Sequence, residues 1–293
     1  CDISTEIAGK KVNAPVFCSN MPAVLNQDIC KIFDESGWFH IYHRINDIQD
    51  IKEYMCRADI ENWRFVSISI GLKQEYIDLL HWIKKFEKRI NCITIDVALS
   101  WQEQTEKMIK LIKSLFPNVY LIVGNGDNPE WIRWLEDLGV DCAKINVGVS
   151  KSCRTRQFTG FGSTTITDLI KCTEVANNIK IISDGGLTVD ENNEVWIGDI
   201  AKAIRFNSDF VMSGALFKNC LDSPAIRHGY FGNASRKAKG DNHVEGAHLT
   251  VETNGLTIKE MIKLIEESLK SSCSYSGSNK IYDIRNIDYQ IIN

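Results

Sequence analysis

Eight apolar runs of strand length, with helix-patterned stretches between them, constrain the fold of this chain more than any other feature. They are "PVFCSN" (15–20), "WFHIYHR" (38–44), "FVSISIG" (65–71), "CITIDVA" (92–98), "VYLIVGN" (119–125), "CAKINVG" (142–148), "KIISDGG" (180–186) and "FVMSGALF" (210–217). Most are nearly continuous in apolar residues, as strands buried on both faces of a parallel sheet are. In the stretch 74–90, Tyr76, Leu79, Leu80, Ile83, Phe86 and Ile90 fall on one stripe at three- and four-residue steps, the mark of an amphipathic helix. Met108, Leu111, Ile112 and Leu115 repeat that pattern before Pro117, and "PEWIRWLEDLG" (129–139) begins with proline and stops at glycine. The alternation predicts an α/β fold, a (β/α)8 TIM barrel, with a doubly wound open sheet as the structural alternative. No Pro/Gly/Ser linker interrupts it, so residues 1–293 are expected to form a single barrel domain. Residues 218–257, polar and irregular with the basic stretch "RKAKG", are expected to be a flap-like excursion after the eighth strand, a disordered insertion being the alternative.

Composition excludes several classes. A chain that is 44% hydrophobic and 25% charged is too apolar for disorder, and a net charge of -4 gives no reason to expect a nucleic-acid partner. No apolar run is long enough to cross a bilayer, and no signal peptide opens the chain, so neither a membrane nor secretion is expected. The ten cysteines are scattered without a C-x-x-C pair, which suits free thiols in a reducing cytoplasm better than disulfides or zinc. The chain begins at Cys1 without an initiator methionine, and some N-terminal sequence is expected to be missing.

In a barrel of this kind the active site lies at the C-terminal ends of the strands. After the sixth predicted strand comes "NVGVSKSCRTRQFTGFG" (146–162), where Lys151, Arg154 and Arg156 surround Cys153. Cationic, partly exposed surroundings make a thiol nucleophilic, whereas a structural cysteine prefers apolar ones. After the seventh comes Asp184 with Gly185 and Gly186, and after the eighth Gly214. Glycines there let backbone N–H groups approach a phosphate, though each is also compatible with a plain tight turn. Asp184 can accept bonds from sugar hydroxyls or stand as a loop carboxylate. Arg156 can equally be a surface residue, and His43 and Arg44 a polar rim.

The motifs "GVSKSCRTRQFTGFG", "IISDGG", "FVMSGALF", "YFGNAS", "VEG" and "SCSYSG", together with "NAPVFCSNM" and "YHR", resemble the IMP dehydrogenase/GMP reductase family along nearly the whole chain. No inserted pair of CBS modules interrupts the pattern and the flap stretch lacks an Arg-Tyr pair, so the resemblance points to the reductase branch. It implies NADPH-dependent reductive deamination of GMP, or of a close analogue such as dGMP, to IMP and ammonia. An IMP dehydrogenase-like enzyme without CBS modules, or a nucleotide-binding barrel that has lost catalysis, are the alternatives. By the same resemblance Cys153 is the nucleophile at purine C2, and Thr155 and Glu245 pass the proton that the departing amine needs. Asp184 holds the ribose hydroxyls. Ser152, Gly185, Gly186, Ser213, Gly214 and Tyr230 lie at or beside the phosphate-binding segments, and Gly232, Asn233 and Ala234 lie along the purine. Lys73, Asp96, Ala98, Gly124 and Asn125 are the expected cofactor contacts. A potassium ion at Gly148 and Ser150, and a homotetramer, are further implications. The chain departs from the family pattern at Pro22, at Leu99, Ser100 and Trp101, at Gly126, Asp127 and Asn128, at Ser150, and in an insertion "DENNEVW" at 190–196. The changes at 99–101 and 126–128 fall on loops where the family places the nicotinamide.

Overall fold

In the computed structural model the described residues are 1–290 apart from Asn46, 187–194 and Asp241. The chain opens with an antiparallel hairpin, β1 (Thr5–Ile7) and β2 (Lys10–Val12), turned by Ala8 and Gly9 with φ of 51° and 70°. Two successive positive φ values match the twist of a tight hairpin, and glycine takes the second without strain. Seven further strands follow in one parallel sheet: β3 (Val16–Cys18), β4 (Ser67–Ile70), β5 (Cys92–Asp96), β6 (Tyr120–Gly126), β7 (Cys142–Ile145), β8 (Lys180–Asp184) and β9 (Phe210–Ser213). Their spatial order is β3-β9-β8-β7-β6-β5-β4, so chain neighbours pair from β4 to β9 and β3 joins on at β9.

The second expected strand, 38–44, is not a ladder strand. It is buried and joins β4 through a single parallel bridge, Tyr42 to Ile68, in which Tyr42 N–H donates to Ser67 at 2.9 Å and Ser69 N–H donates to Tyr42 at 2.8 Å. Its Phe39 ring packs edge-on against Phe17 of β3 at 5.1 Å and against Phe65, just before β4, at 5.4 Å. The two edge strands of the sheet are therefore brought round to the same segment, and the sheet curls.

The curl creates two separate cores. One lies inside the sheet, where Phe17, Phe39, Phe65, Cys92, Ile122 and Phe210 meet, and Ile7 and Val12 of the hairpin close it from below. The other lies between the sheet and the helices, and takes the alternate residues of each strand, such as Val16, Ile93, Leu121, Val211 and, on β7, Ala143 and Ile145. Alternation along each strand sends successive side chains to opposite cores. That explains why the strands read as continuous apolar runs.

The helices cover the outer core. α1 (Gln27–Glu35) and α2 (Ile48–Ile60) are capped by the side chains of Asn26 and Asp47, which accept from backbone N–H groups of the first turn. α3 (Gln74–Ile83) buries Tyr76, Leu79, Leu80 and Ile83, as its stripe predicts, but ends there and passes into a short 3-10 turn containing Phe86. α4 (Glu103–Leu115) buries Met108, Ile109 and Ile112, and α5 (Pro129–Asp137) starts at Asn128 with proline in its first turn. After β7 come α6 (Thr155–Thr159) and α7 (Ile166–Val175), and after β8 comes α8 (Gly198–Arg205).

The expected excursion at 218–257 has local order. It contains α9 (Pro224–His228), β10 (Tyr230–Phe231), α10 (Arg236–Lys239) and β11 (His248–Leu249), with β10 and β11 paired antiparallel. The basic "RKAK" is thus α10, started by the Ser235 hydroxyl accepting from Ala238 N–H at 3.2 Å. The last helix, α11 (Ile258–Tyr275), carries a reciprocal cap between Thr257 and Glu260 and runs further than its apolar pattern alone suggests. Most of the insertion at 190–196 lies outside the described residues. Among the described residues no helix is long and apolar enough to cross a membrane, and all ten cysteines are free.

Two buried histidines give the fold a pH dependence. Burial holds His40 down to about 3, where its Nε2 meets the Tyr54 hydroxyl at 2.9 Å, and holds His43 down to about 4. Both stay neutral in the folded chain, while in the unfolded chain they take up protons below the ordinary histidine pKa of roughly 6.5. Folding stability should therefore fall as pH drops from about 6.5 toward about 4, by about 2 kcal/mol per histidine at pH of about 5. Urea midpoints across that range should show the fall, and a His40→Asn variant should show about half of it.

Candidate active site

The parallel order sets the C-terminal ends of β5, β6, β7 and β8 side by side, and polar residues there converge on one cation. Lys144 lies on β7 two residues after Cys142, so it faces the interior of the curled sheet as Cys142 does. It is 2% exposed, and its Nζ stands 2.7 Å from Asn125 Oδ1, 2.7 Å from Asp184 Oδ2 and 3.3 Å from Asp96 Oδ1. Arg44 reaches the other oxygen of Asp96 at 3.3 Å and donates to the Asp96 carbonyl at 2.7 Å. Burial alone would drive the lysine toward its neutral form, but the charges of Asp184 and Asp96 outweigh it and raise its pKa. Asp96 is the mirror case: burial pushes its carboxyl up, and Lys144 and then Arg44 pull it below its ordinary value. Gly124 makes room for this hub, since a Cβ there would stand 2.6 Å from Lys144 Cβ.

Above the floor stands the thiol loop. Cys153 Sγ lies 3.2 Å from Thr155 Oγ1, and Thr155 is buried at the start of α6. The excursion folds over this loop and pairs with its backbone. Cys153 and Gly246 form an antiparallel bridge, Arg154 N–H donates to the Glu245 carbonyl at 2.5 Å, and Ala247 N–H donates to the Ser152 carbonyl at 2.7 Å. Gly246 fits because a Cβ would stand 2.6 Å from Ser235 N. Residues 153, 155 and 245, distant in sequence, thereby share one wall of a cavity of about 460 Å³. That volume lies within the usual range for a small-molecule site.

The loop's cations do not all gather at the sulfur. Lys151 lines the cavity, whereas Arg154 is exposed and Arg156 turns away to donate to the Ser163 carbonyl. Burial pushes the thiols of Cys18, Cys30 and Cys142 well up and holds those of Cys92, Cys172 and Cys220 at about 12.

At one end of the cavity Ser150 and Ser152 share a hydroxyl contact of 2.8 Å, beside the buried Tyr230. Burial raises the Tyr230 hydroxyl to about 12, against bonds to Ser152 and Ser150 that favour its ionised form. A Cβ on Gly214 would stand 2.8 Å from that hydroxyl. Gly185 and Gly186 hold φ of 76° and 77°, and Ser213 is buried beside Gly214. All of these line the cavity. So do Gly148, Gly232, Asn233 and Ala234, and, toward β5 and β6, Asp96, Ala98 and Asn125. Lys73 and Gly124 do not; Lys73 stands at the start of α3, and Gly124 acts from behind Lys144.

Sequence reasoning passed over Lys144, Asn146, Asn20, Lys218 and Lys239, which also line the cavity, and took Arg44 for rim. A lysine inside an otherwise apolar strand, as in "CAKINVG", was the available signal for the first. Lys218 is buried, and burial, with Lys151 nearby, lowers its pKa. Nothing in the local pattern marks Asn20, whose amide donates to Ser69 Oγ at 2.9 Å across two elements.

Fold and site together define a parallel α/β protein that carries a thiol loop, paired with the 218–257 excursion, above a charged strand-end floor. The chain belongs to the IMP dehydrogenase / GMP reductase family, whose domain model matches residues 1–292. It is 34% identical over 310 residues to the GMP reductase of Oceanobacillus iheyensis, with 100% of this chain and 89% of that protein covered. The GMP reductases of Staphylococcus carnosus and Bacillus licheniformis are 33% and 34% identical, each with 100% of this chain and 90% of the relative covered.

The hub yields a direct test. Lys144→Met removes the only charge on β7 that faces Asp96 and Asp184, so the buried Asp96 and the partly buried Asp184 lose the cation they share. Stability should drop by about 3–5 kcal/mol. Denaturant titration measures it, and adding Asp184→Asn to Lys144→Met should restore part of the loss.

Proposed function

We propose that this protein catalyses the NADPH-dependent reductive deamination of GMP, or of a close guanine nucleotide, to IMP and ammonia. The observation that carries this reading is the 3.2 Å contact of Cys153 Sγ with Thr155 Oγ1 under a flap that pairs residue 245 with the same loop. Membership of the family and the names of the relatives support it.

In this reading the Cys153 thiolate attacks purine C2, and the C–S bond forms as the C2–N bond breaks. The leaving amine takes a proton delivered through Thr155 and Glu245, so ammonia departs and a thioimidate remains on Cys153. When bound, the reduced nicotinamide supplies a hydride to C2. The C–S bond then breaks, Cys153 recovers its electron pair, and IMP is released. Splitting one displacement into two steps is what a covalent nucleophile contributes.

The remaining residues hold the substrate. Ser152, Gly186, Gly214 and Tyr230 offer hydroxyl and backbone donors to the phosphate, and Asp184 accepts from the ribose. Asn233 brings a buried Oδ1 without a partner into the purine side of the cavity, a fitting acceptor for the N–H groups of guanine. The cofactor side fits its group as well. Leu99 and Trp101, 40% and 51% exposed beyond Ala98, offer apolar surface to a flat ring. Arg44 and Lys239 bring positive charge to the same side of the cavity. Carbonyls around Gly148 and Ser150 are suitable oxygen donors for a potassium ion. A homotetramer belongs to the same reading through the family. The bridge at Tyr42 and the shared interior core support counting 38–44 as the closing strand of a (β/α)8 barrel.

Loss of reduced-nicotinamide absorbance with GMP is the primary assay, and its absence across guanine nucleotides would overturn the reading. Glu245→Gln should slow turnover by about 10²–10⁴-fold while IMP still binds. Timed alkylation with peptide mapping should find Cys153 modified well ahead of the buried thiols, with GMP or IMP protecting Cys153 but not the exposed Cys1. Protection of neither would remove Cys153 from the site.

A further inference from the structure

We infer that Asn146 is a sugar-recognising residue of this cavity, its side-chain amide acting with the Asp184 carboxylate to hold the two neighbouring hydroxyl groups of a ribonucleotide. The inference rests on the nucleotide reading above and adds which sugar the site selects.

Asn146 directly follows β7, is 3% exposed and forms part of the cavity wall. Its φ of 83° lies in the left-handed region, which asparagine tolerates and glycine tolerates best. Glycine would satisfy that backbone; asparagine adds an amide, and the amide is held in place. Its Nδ2 donates to Ser183 Oγ at 3.2 Å, and the Asn146 carbonyl accepts from Asn125 Nδ2 at 2.7 Å. The remaining atom, Oδ1, is buried and has no hydrogen-bond partner. A buried acceptor left without a donor is costly, and a ligand that brings a donor recovers the loss.

Asp184, partly buried, lies one residue beyond Ser183 and also keeps one acceptor without a described partner. Lys144 and Asn125 both bond to its Oδ2, at 2.7 and 3.0 Å, and its Oδ1 has no hydrogen bond to any described residue. Two acceptors thus stand at the ends of the adjacent strands β7 and β8, both braced by the Asn125 amide. Neighbouring sugar hydroxyls present two donors on one side of a ring, which suits such a pair. A hydroxyl both donates and accepts, so it also satisfies the amide whichever way its oxygen and nitrogen are turned. The purine is excluded from this place because its C2 must reach Cys153 on the loop above.

The test compares GMP with its 2′-deoxy and 3′-deoxy analogues, by calorimetric dissociation constants on the unaltered protein and on Asn146→Gly. Glycine suits the φ of 83°, so the variant removes the amide without adding backbone strain. The unaltered protein should bind at least one deoxy analogue about tenfold more weakly than GMP. Asn146→Gly should lose about tenfold for GMP and little for that same analogue, so that the discrimination shrinks. Equal binding of all three nucleotides by the unaltered protein, or undiminished discrimination in Asn146→Gly, would overturn the inference while GMP turnover upholds the function. Failure of the unaltered protein to bind GMP at all would overturn both.

Discussion

The inward-facing ammonium of Lys144 is the interaction on which the rest of the site depends. Asp96 and Asp184 end strands that lie on either side of Lys144, and without a cation between them they would repel across a buried gap. A buried ion pair of this sort adds little net stability, because desolvation offsets most of the attraction. What it supplies is orientation. Lys144 fixes Asp184 through one carboxylate oxygen, and the other has no hydrogen bond to any described residue. Asp96 in turn anchors Arg44, which tethers the end of 38–44, a segment that the sheet holds by a single bridge.

Above this charged floor the chemistry changes character. The thiol loop offers a sulfur and hydroxyls, and its position is fixed by backbone pairing with the flap more than by charge. Two backbone hydrogen bonds, Arg154 N–H to the Glu245 carbonyl and Ala247 N–H to the Ser152 carbonyl, make the Cys153–Gly246 bridge that joins the two segments. Gly232 allows the approach to the loop, since a Cβ there would stand 3.0 Å from the Ser152 carbonyl oxygen, and Gly246 makes room for Ser235 within the excursion itself. The excursion's order therefore comes both from its own β10–β11 pair and from the loop it covers, neither of which an isolated reading of the polar stretch 218–257 shows.

Much of this was legible in the residues. The apolar runs and the helical stripes depend on nearest-neighbour chemistry: side chains alternate along a strand and recur every three or four residues on a helix, whatever lies beyond. Seven of the eight runs became strands of one parallel sheet for that reason, and the α3 stripe buried the residues it marked. The cluster of motifs around Cys153, Asp184 and residues 230–246 identified the family, because each motif is a short contiguous string. Tertiary structure alone decided the rest. Whether 38–44 forms a ladder depends on the strands it meets, and Tyr42 makes the one bridge. In sequence Arg156 could serve the thiol or stand at the surface, and the fold turns it to a carbonyl seven residues on. Lys144 is a single charge in an apolar string, and Asn146 a single amide at its end. Their meaning arises only when four strand ends are laid side by side. The spacing of side chains along one strand is a local property of the chain, whereas which charge faces which across neighbouring strands is set by the sheet.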